Sequence, residues 1–443
     1  MNSLPPQLRT QLQRVHPEHY TIARGMLWGT LFVLLGKLAG AGKEMAMAYR
    51  YGVSEQVDGY IFVTNLLTWP VGFWFSALTV VLVPLVAGIQ QNASPDLPRF
   101  RSELLGFTLL LGLGLLVSAW LAVSLLLHSP WTGLPAATAV SAGTMLPGLV
   151  LLTPLGMLIS LLSALMLSAG RHTNTLLESV PALVLLIALL LVTGNRPEPL
   201  VWGTTMGFLL HLIALALLLA RRGEIELPRF SRQSPQWPAF WQGFGIMLAG
   251  QALMSLAGII DQFFAARLEP GAIATLGYAN RIMALILGLG ATAVSRATLP
   301  VFCKIQAVNQ NQLHKFARHW AGLLFMAGLA AMLAAYGLAP WGVRLLFERG
   351  EFTADSSAMV TQVLRYGLGQ IPFYFSALVL VSYASSQRRY TLLFWSGVTG
   401  LMVKILANTL LMPVFAINGI ALSWVAVYLF NSLFFWFTLM HSK

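Results

Sequence analysis

Three basic residues of this sequence lie inside apolar stretches, where a charged side chain has to be stabilised. Arg281 falls within the apolar residues 277–300, and Lys37 and Lys43 fall within an earlier run rich in glycine and alanine. A charge near the centre of a bilayer costs roughly 2.5 to 3.5 kcal/mol unless it faces a cavity or a partner. Because lysine and arginine are natural ligands of phosphate groups, the pattern predicts a cavity for an anion. The alternative for each residue is a side chain that extends along apolar surface to the membrane interface.

The residues around Arg281 predict a helix with one polar face. At about 100° per residue, small and polar side chains share a narrow arc, namely Gly277, Arg281, Ala284, Gly288, Thr292 and Ser295. The opposite side is apolar and carries Met283, Ile286, Leu287 and Val294. Such a helix turns its polar face toward protein or water and its apolar side toward lipid or packed neighbours.

Other ionisable side chains lie within the apolar stretches, and most of them are basic. The cations are Arg365 and Lys404, and the acids are Glu44, Glu178 and Asp261. The excess of cations favours an anionic ligand, so we assign Lys37, Lys43, Arg281 and Arg365 to substrate binding. We assign Glu44, Asp261 and Glu178 to gating or coupling, although Glu178 could simply pair with Arg171.

The composition excludes a soluble globular protein. Of the 443 residues, 57% are hydrophobic and only 9% are charged, whereas charged residues make up about a quarter of soluble proteins. The net charge of +12 comes from short basic clusters between apolar runs, which set membrane topology and do not indicate nucleic-acid binding. One cysteine excludes an intrachain disulfide, and motifs for a metal, a catalytic serine or a phosphate-binding loop are absent from the sequence. We therefore expect no cofactor, no metal site and no enzymatic activity.

Twelve apolar runs are long enough to cross a bilayer, so the fold class predicted is an all-α polytopic membrane protein. The predicted spans are residues 23–48, 57–89, 103–128, 136–168, 173–194, 199–220, 241–267, 271–303, 316–341, 356–385, 390–412 and 417–440. Basic residues are concentrated in alternate connections, and the polar amino-terminal residues lack the apolar core of a signal peptide. Both termini are therefore expected in the cytoplasm.

A polar connection divides the chain into two halves with six spans each. The predicted organisation is an amino-terminal lobe (1–221), a cytoplasmic linker (222–240) and a carboxyl-terminal lobe (241–443), arranged with pseudo-symmetry around a central cavity. Many transporters are built from two such repeats, with the substrate between them near the membrane midplane.

The two halves also resemble each other in sequence. Residues 52–60 align with residues 270–278, and both segments end in Gly-Tyr. This register places Lys43 opposite Asp261 near the outer ends of the first and seventh spans. We therefore expect these two residues to pair across the lobes and to close an outer gate.

Four groups of residues resemble one transporter family. They are Gly52 with Asp58, the sequence YANRIM at 278–283, the sequence LFERGEFT at 346–353 and the sequence NGIALS at 418–423. Together they are similar to the MurJ (MviN-like) lipid II flippases, which belong to the superfamily of multidrug, oligosaccharidyl-lipid and polysaccharide exporters. The resemblance implies a two-lobed, alternating-access transporter.

The resemblance also implies roles for particular residues. Lys37, Lys43 and Arg281 match basic residues of the family's cavity, and Asp58 matches an aspartate at the start of the second helix, which adds it to the substrate-binding set. Ala284 replaces the family's acidic residue three positions after the arginine, so Arg281 is expected to lack an acidic neighbour. The family's acid and arginine of the second helix fall near Phe75 and Val71, and its two additional carboxyl-terminal helices are not present in these 443 residues. These departures favour a cargo other than lipid II.

The expected function is that of a flippase in the bacterial inner membrane. It would move a polyprenyl-pyrophosphate-linked saccharide, such as an exopolysaccharide unit, an O-antigen unit or lipid II, to the outer leaflet. Coupling to the membrane potential, H⁺ or Na⁺ and contact with polysaccharide or cell-wall assembly proteins are further expectations. The alternative is a cation-coupled multidrug or small-molecule exporter of the same fold, which would rely on a membrane carboxylate such as Glu178 or Glu44. A scaffold or a membrane glycosyltransferase is a third class, which the short outer loops disfavour.

Overall fold

The computed structural model describes residues 35–91, 96–169, 177–192, 194–224, 226–306, 310–387 and 389–440, and most of them are helical. The first half contains α1 (35–51), α2 (Glu55–Gln91), α3 (Leu97–His128), α4 (Ala136–Leu149), α5 (Leu152–Ser168), α6 (Val180–Leu191) and α7 (Glu198–Ala220). The second half contains α8 (Trp237–Ala265), α9 (Ala272–Gln306), α10 (Gln310–Phe347), α11 (Ala354–Leu368), α12 (Ile371–Ser386), α13 (Tyr390–Phe415) and α14 (Ile417–Met440).

The helices confirm the predicted all-α membrane fold. Seven of the described helices are long and apolar enough to span a membrane, and two pairs, α4 with α5 and α11 with α12, form bent spans. Two shorter apolar segments, Val180–Leu191 and Ala272–Gly288, coincide with the predicted fifth and eighth spans. The first predicted span is described only from residue 35, and both chain termini lie outside the described residues.

The two bent spans occupy equivalent places in the two lobes, as a repeat requires. The fourth span bends by 49° between α4 and α5, and the tenth bends by 43° between α11 and α12. Each break is followed by a proline in the first turn of the second helix, Pro154 in α5 and Pro372 in α12. Because proline has no backbone N–H, it cannot donate to the carbonyl four residues earlier, which is that of Val150 in the fourth span and of Leu368 in the tenth. The same chemical feature therefore accompanies both breaks.

The apolar core is shared between the lobes at one end of the molecule and divided at the other. We call the shared end the outer end, because the basic residues of the sequence predict that it faces outward. There, Met47 and Phe62 of the first lobe belong to the same buried cluster as Tyr278 and Phe352 of the second. At the inner end, one buried cluster consists of residues of the first lobe and of the start of α8. A separate cluster consists of residues of α9, α10, α12 and α14.

Two glycine turns meet backbone to backbone at the outer end. The turn after α1 contains Gly52 (φ +57°), and the turn after α10 contains Gly350 (φ +60°). The backbone N–H of Glu351 donates to the carbonyl oxygen of Tyr49 over 2.9 Å. A Cβ on Gly350 would collide with that carbonyl group, and one on Gly52 would collide with the carbonyl of Glu351. Glycine is therefore required both by the left-handed backbone and by the close approach of the lobes.

The linker between the lobes is fixed to the first lobe by one buried carboxylate. Glu103 of α3 is fully buried and accepts hydrogen bonds from the Ser231 hydroxyl (2.7 Å), the backbone N–H groups of Gln233 and Ser234 (both 3.1 Å) and the Trp237 indole (2.7 Å). The backbone N–H of Arg229 also donates to the carbonyl of Ser102 over 3.0 Å. These bonds satisfy a charge that would be costly to bury alone.

Replacing Gly350 by alanine should loosen the outer end. The variant Gly350→Ala combines left-handed strain with the collision against Tyr49, whereas Gly223→Ala has the same kind of backbone (φ +66°) and nothing within 4 Å. We expect Gly223→Ala to cost only about 1 to 2 kcal/mol of strain. In a Cys303→Ser background, spin labels on Trp131→Cys and Leu345→Cys would measure the distance across the outer end.

The label distances should become longer in Gly350→Ala and stay unchanged in Gly223→Ala. Equal distances in both variants, with both proteins folded, would show that the backbone contact does not hold the lobes together.

Candidate functional site

Glu44 joins two basic residues that belong to different lobes. Its Oε1 atom lies 2.8 Å from Nζ of Lys43 on the same helix and 3.1 Å from Nε of Arg281 on α9. Glu44 is buried, whereas 54% of the Arg281 side chain is exposed. We call these three residues the Glu44 cluster. It carries two positive charges and one negative charge, so an excess positive charge remains where α1 meets α9.

The polar face predicted for α9 is exposed from Arg281 to Gly288, which confirms that part of the prediction. Gly277 is only partly exposed, and the side chains of Thr292 and Ser295 lie outside the described residues. Arg281, Ala284 and Gly288 are exposed on this face. On the opposite side, Met283 and Val294 are buried, with 1% and 8% of their surface exposed. The apolar side of α9 therefore packs against protein, and the side with the arginine is accessible.

The glycines of α1 allow close packing against the neighbouring helix α6. A Cβ on Gly42 would lie 3.2 Å from a methyl carbon of Leu186, and one on Gly36 would lie 3.5 Å from Cβ of Ser179. Gly40, by contrast, has open space around it. Lys37 is exposed on the same helix, about 9 Å along the axis from Lys43. The structure therefore gives α1 one packed side and leaves Lys37 exposed, whereas only 18% of the Lys43 side chain is exposed.

The expectation that Ala284 leaves Arg281 without an acidic neighbour is wrong. Glu44 supplies a carboxylate 3.1 Å from the guanidinium, from another helix and another lobe. The sequence could not reveal this partner, because residues 44 and 281 are far apart in the chain and meet only in the folded protein.

Asp58 caps a helix, which corrects its predicted role as a substrate ligand. Only 2% of the residue is exposed, and its two carboxylate oxygens accept hydrogen bonds of 2.6 Å from the backbone N–H groups of Gly271 and Ala274. These groups form the amino terminus of α9, where a negative charge is favourable. Because Asp58 begins α2, the cap ties the start of the second lobe's α9 to the first lobe.

Arg365 and Glu178 do not take part in the ion pairs of the Glu44 cluster. Nε of Arg365 donates to the carbonyl oxygen of Tyr336 over 3.2 Å, and the guanidinium lies 4.6 Å from the centre of that ring. This places Arg365 in a surface pocket that also contains Arg344. Glu178 is exposed just before α6, and Arg171, the partner suggested for it, lies outside the described residues.

Asp261 belongs to a buried network within the second lobe. Its Oδ1 atom lies 2.8 Å from Nζ of Lys404 and accepts a hydrogen bond of 2.9 Å from the Asn408 amide. Its Oδ2 atom accepts a hydrogen bond of 2.7 Å from the Trp424 indole. Lys404 is 3% exposed and also donates to the Ser423 hydroxyl over 2.8 Å. Every charge in this network therefore has a partner, and the network joins α8, α13 and α14.

The predicted outer gate between Lys43 and Asp261 is wrong for this structure. Lys43 pairs with Glu44, and Asp261 pairs with Lys404. The physical reason is that each residue has an oppositely charged neighbour closer than its counterpart in the repeat. The outer end is instead held by the glycine turns and by the helix cap of Asp58.

The sequence contains a signal for the Asp261 network that neither the apolar spans nor the internal repeat reveals. Lys404 and Asn408 are four residues apart, which places them on one face of α13. Two polar side chains at that spacing in an apolar span indicate a shared buried partner.

Breaking this network by one charge should destabilise the second lobe. The variant Lys404→Met leaves the Asp261 carboxylate buried without its cation, which costs about 3 to 5 kcal/mol. The double variant Asp261→Asn with Lys404→Met removes both charges and should recover most of the loss. Thermal unfolding of the purified proteins measures the loss of stability in each variant, and Lys37→Met is the control for loss of an exposed lysine. A double variant as unstable as the sum of its single variants would contradict the pairing.

Solved transporter structures share the fold of this chain. A structure described as the lipid II flippase MurJ in an inward closed conformation superposes with a TM-score of 0.80 at 17% identity, covering 93% of this chain and 87% of that one. An inward-facing multidrug resistance transporter of the MATE family superposes with a TM-score of 0.69 at 14% identity, covering 90% and 92%. Both likenesses concern the two-lobed fold.

Sequence relatives point to one branch of this fold. A probable lipid II flippase MurJ of Rhizobium meliloti is 26% identical over 91% of this chain and 78% of its own length. A probable lipid II flippase MurJ of Bdellovibrio bacteriovorus is 27% identical over 53% of this chain, and that match spans only 45% of the relative's length. The family model described as lipid II flippase MurJ matches residues 73–443. The chain therefore belongs to the MurJ lipid II flippase family.

Proposed function

We propose that this protein moves lipid II, a polyprenyl-pyrophosphate-linked saccharide, from the inner to the outer leaflet of the bacterial cytoplasmic membrane. The observation that carries the proposal is the Glu44 cluster, which places Lys43 and the exposed Arg281 side by side between two lobes. The family membership supports lipid II as the cargo. The activity is a transport step and needs no catalytic residue.

The cluster has the chemistry of a pyrophosphate site. Arg281 can use its planar guanidinium for two parallel hydrogen bonds to a phosphate, and Lys43 adds a compact charge with three donors. Glu44 keeps the two cations close together before the ligand arrives, which lowers the cost of assembling the site. Lys37, exposed on the same helix, would provide a further positive charge for the diphosphate or the saccharide.

The position of the cluster connects binding to movement of the lobes. Lys43 and Glu44 lie on α1 of the first lobe, and Arg281 lies on α9 of the second, so the bond between Glu44 and Arg281 crosses the lobe interface. A pyrophosphate that binds Arg281 and Lys43 competes with Glu44 and weakens that bond. We infer that cargo binding changes the equilibrium between the two arrangements of the lobes, because it changes a contact between them.

The arrangement of the cores is consistent with loading from the cytoplasmic side. At the outer end the lobes share one apolar core, and at the inner end their cores are separate. In the proposed orientation the cluster is therefore reached from the inner leaflet, and the outer contact has to open for release. An inside-negative potential would assist outward movement of the pyrophosphate by about 2.3 kcal/mol per charge per 100 mV.

The main reason for preferring another saccharide no longer applies. The replacement of the family's acid by Ala284 had suggested a different cargo, but Glu44 supplies the carboxylate beside Arg281. Identification of the lipid-linked intermediate that accumulates when the protein is depleted would separate lipid II from an exopolysaccharide or O-antigen precursor. Accumulation of neither class, together with sensitivity to cationic drugs, would favour the exporter alternative.

Neutralising the two cations of the Glu44 cluster should impair transport. In proteoliposomes with fluorescent lipid II and an imposed potential, we expect the double variant Lys43→Gln with Arg281→Gln to slow transfer by at least about tenfold, since a hydrogen bond to a charged group contributes about 1.5 to 3 kcal/mol. Transfer is measured by quenching with a reductant that does not cross the membrane.

Arg344→Gln is the matched control, because it removes an exposed arginine of the second lobe that pairs with Glu348 and lies outside the Glu44 cluster. It should transfer lipid II at the parent rate. The binding assignment fails if the double variant keeps the parent rate, or if Arg344→Gln is impaired as strongly as the double variant.

A further inference from the structure

A groove of about 540 Å³ lies between the predicted inner ends of α10 and α14. Both helices pack against α12. The walls combine a basic part with an apolar part, contributed by Lys315, Arg318, His319, Leu323, Met326 and Trp436. The groove is separate from the Glu44 cluster, because none of the cluster residues lines it.

The basic part of the groove carries charge that no described acidic residue neutralises. Lys315, Arg318 and His319 are exposed and lie three and four residues apart, so they project from one face of α10. Within the described part of the chain, Lys315 and Arg318 have no ion-pair partner. The sequence explains why: it has no aspartate or glutamate between Glu269 and Glu348, and none after Asp355. The positive charge is therefore available to an anion from outside the protein.

The apolar part begins one helical turn deeper into the membrane. Leu323 is 45% exposed and Met326 is 60% exposed, and they follow His319 along the same helix. Trp436 contributes an aromatic side chain from α14 on the other side of the groove. Tryptophan is typical of the membrane interface, where one part of the ring is in apolar surroundings and the other is near water. The groove thus changes from basic to apolar over about 10 Å, from His319 to Met326.

We propose that this groove binds an anionic phospholipid of the cytoplasmic leaflet. Lys315 and Arg318 would bind the phosphate, and an acyl chain would lie along Leu323 and Met326 beside Trp436. Basic pockets between membrane helices at the cytoplasmic surface are suited to anionic headgroups. A soluble phosphate would use only the basic part, whereas a phospholipid matches both parts. This proposal does not depend on which cargo the Glu44 cluster carries.

The purified full-length protein in detergent can be titrated with phosphatidylglycerol and with phosphatidylethanolamine, and native mass spectrometry counts the lipid molecules bound. We expect the tightest lipid site of the parent protein to bind phosphatidylglycerol in preference to phosphatidylethanolamine. The double variant Lys315→Gln with Arg318→Gln should bind phosphatidylglycerol about thirty-fold more weakly, because two basic residues are lost. Arg222→Gln, which removes an exposed arginine at the predicted inner end of α7, should leave this affinity unchanged.

Two further measurements keep the result independent of folding defects. The charge-preserving double variant Lys315→Arg with Arg318→Lys should retain the preference for phosphatidylglycerol. Glycerol 3-phosphate, which has the phosphate but no acyl chain, should not displace the bound lipid at equal concentration. Equal binding of the two phospholipids by the parent protein would overturn the proposal, as would unchanged affinity in the neutralised variant or displacement by glycerol 3-phosphate.

Discussion

The cap that Asp58 forms on α9 is the contact on which the arrangement of the two lobes depends. The carboxylate accepts 2.6 Å hydrogen bonds from Gly271 and Ala274 and so fixes the first turn of α9 against the start of α2. Arg281 lies two turns further along the same helix, and its distance to Glu44 follows from where that helix begins. The glycine turns at the outer end and the shared apolar core reinforce the same junction. One buried carboxylate thus positions both the closed outer end and the cationic site.

Acidic side chains act as connectors throughout the described structure. The buried acids there are Glu44, Asp58, Glu103 and Asp261, and each one joins segments that are distant in sequence. In apolar surroundings an unpaired carboxylate is costly, so each of these residues specifies its partners more strongly than an apolar contact does. Basic residues are used differently: several remain exposed and are available to anionic ligands. The scarcity of acids noticed in the sequence therefore has a structural meaning, because nearly every buried acid is committed to holding the protein together.

The sequence predicted the helices and the two-lobed organisation well, because apolar length and the place of the polar connection are local signals. The twelve-span pattern, the polar connection between the halves and the accessible face of α9 all depend on such signals. The pairing of charges could not be predicted in the same way. Asp58 was predicted to be a ligand because its real partners are backbone N–H groups, which residue types do not reveal. Asp261 was matched to Lys43 because an internal repeat relates equivalent positions, and equivalent positions need not be in contact. Glu44 was recognised as important, but its partner on α9 requires the packing of the lobes.

The attachment of the linker to α3 determines where the molecule can flex. Since Glu103 binds residues 231–237 to the first lobe, the connection between the halves is held in place and is not a free linker. The beginning of α8 is packed with that lobe, and its far end is held in the second lobe through Asp261. Gly250, between these two attachments, has no neighbour within 4 Å of an added Cβ. The part of α8 around Gly250 is therefore a place where this helix can bend when one lobe rotates against the other.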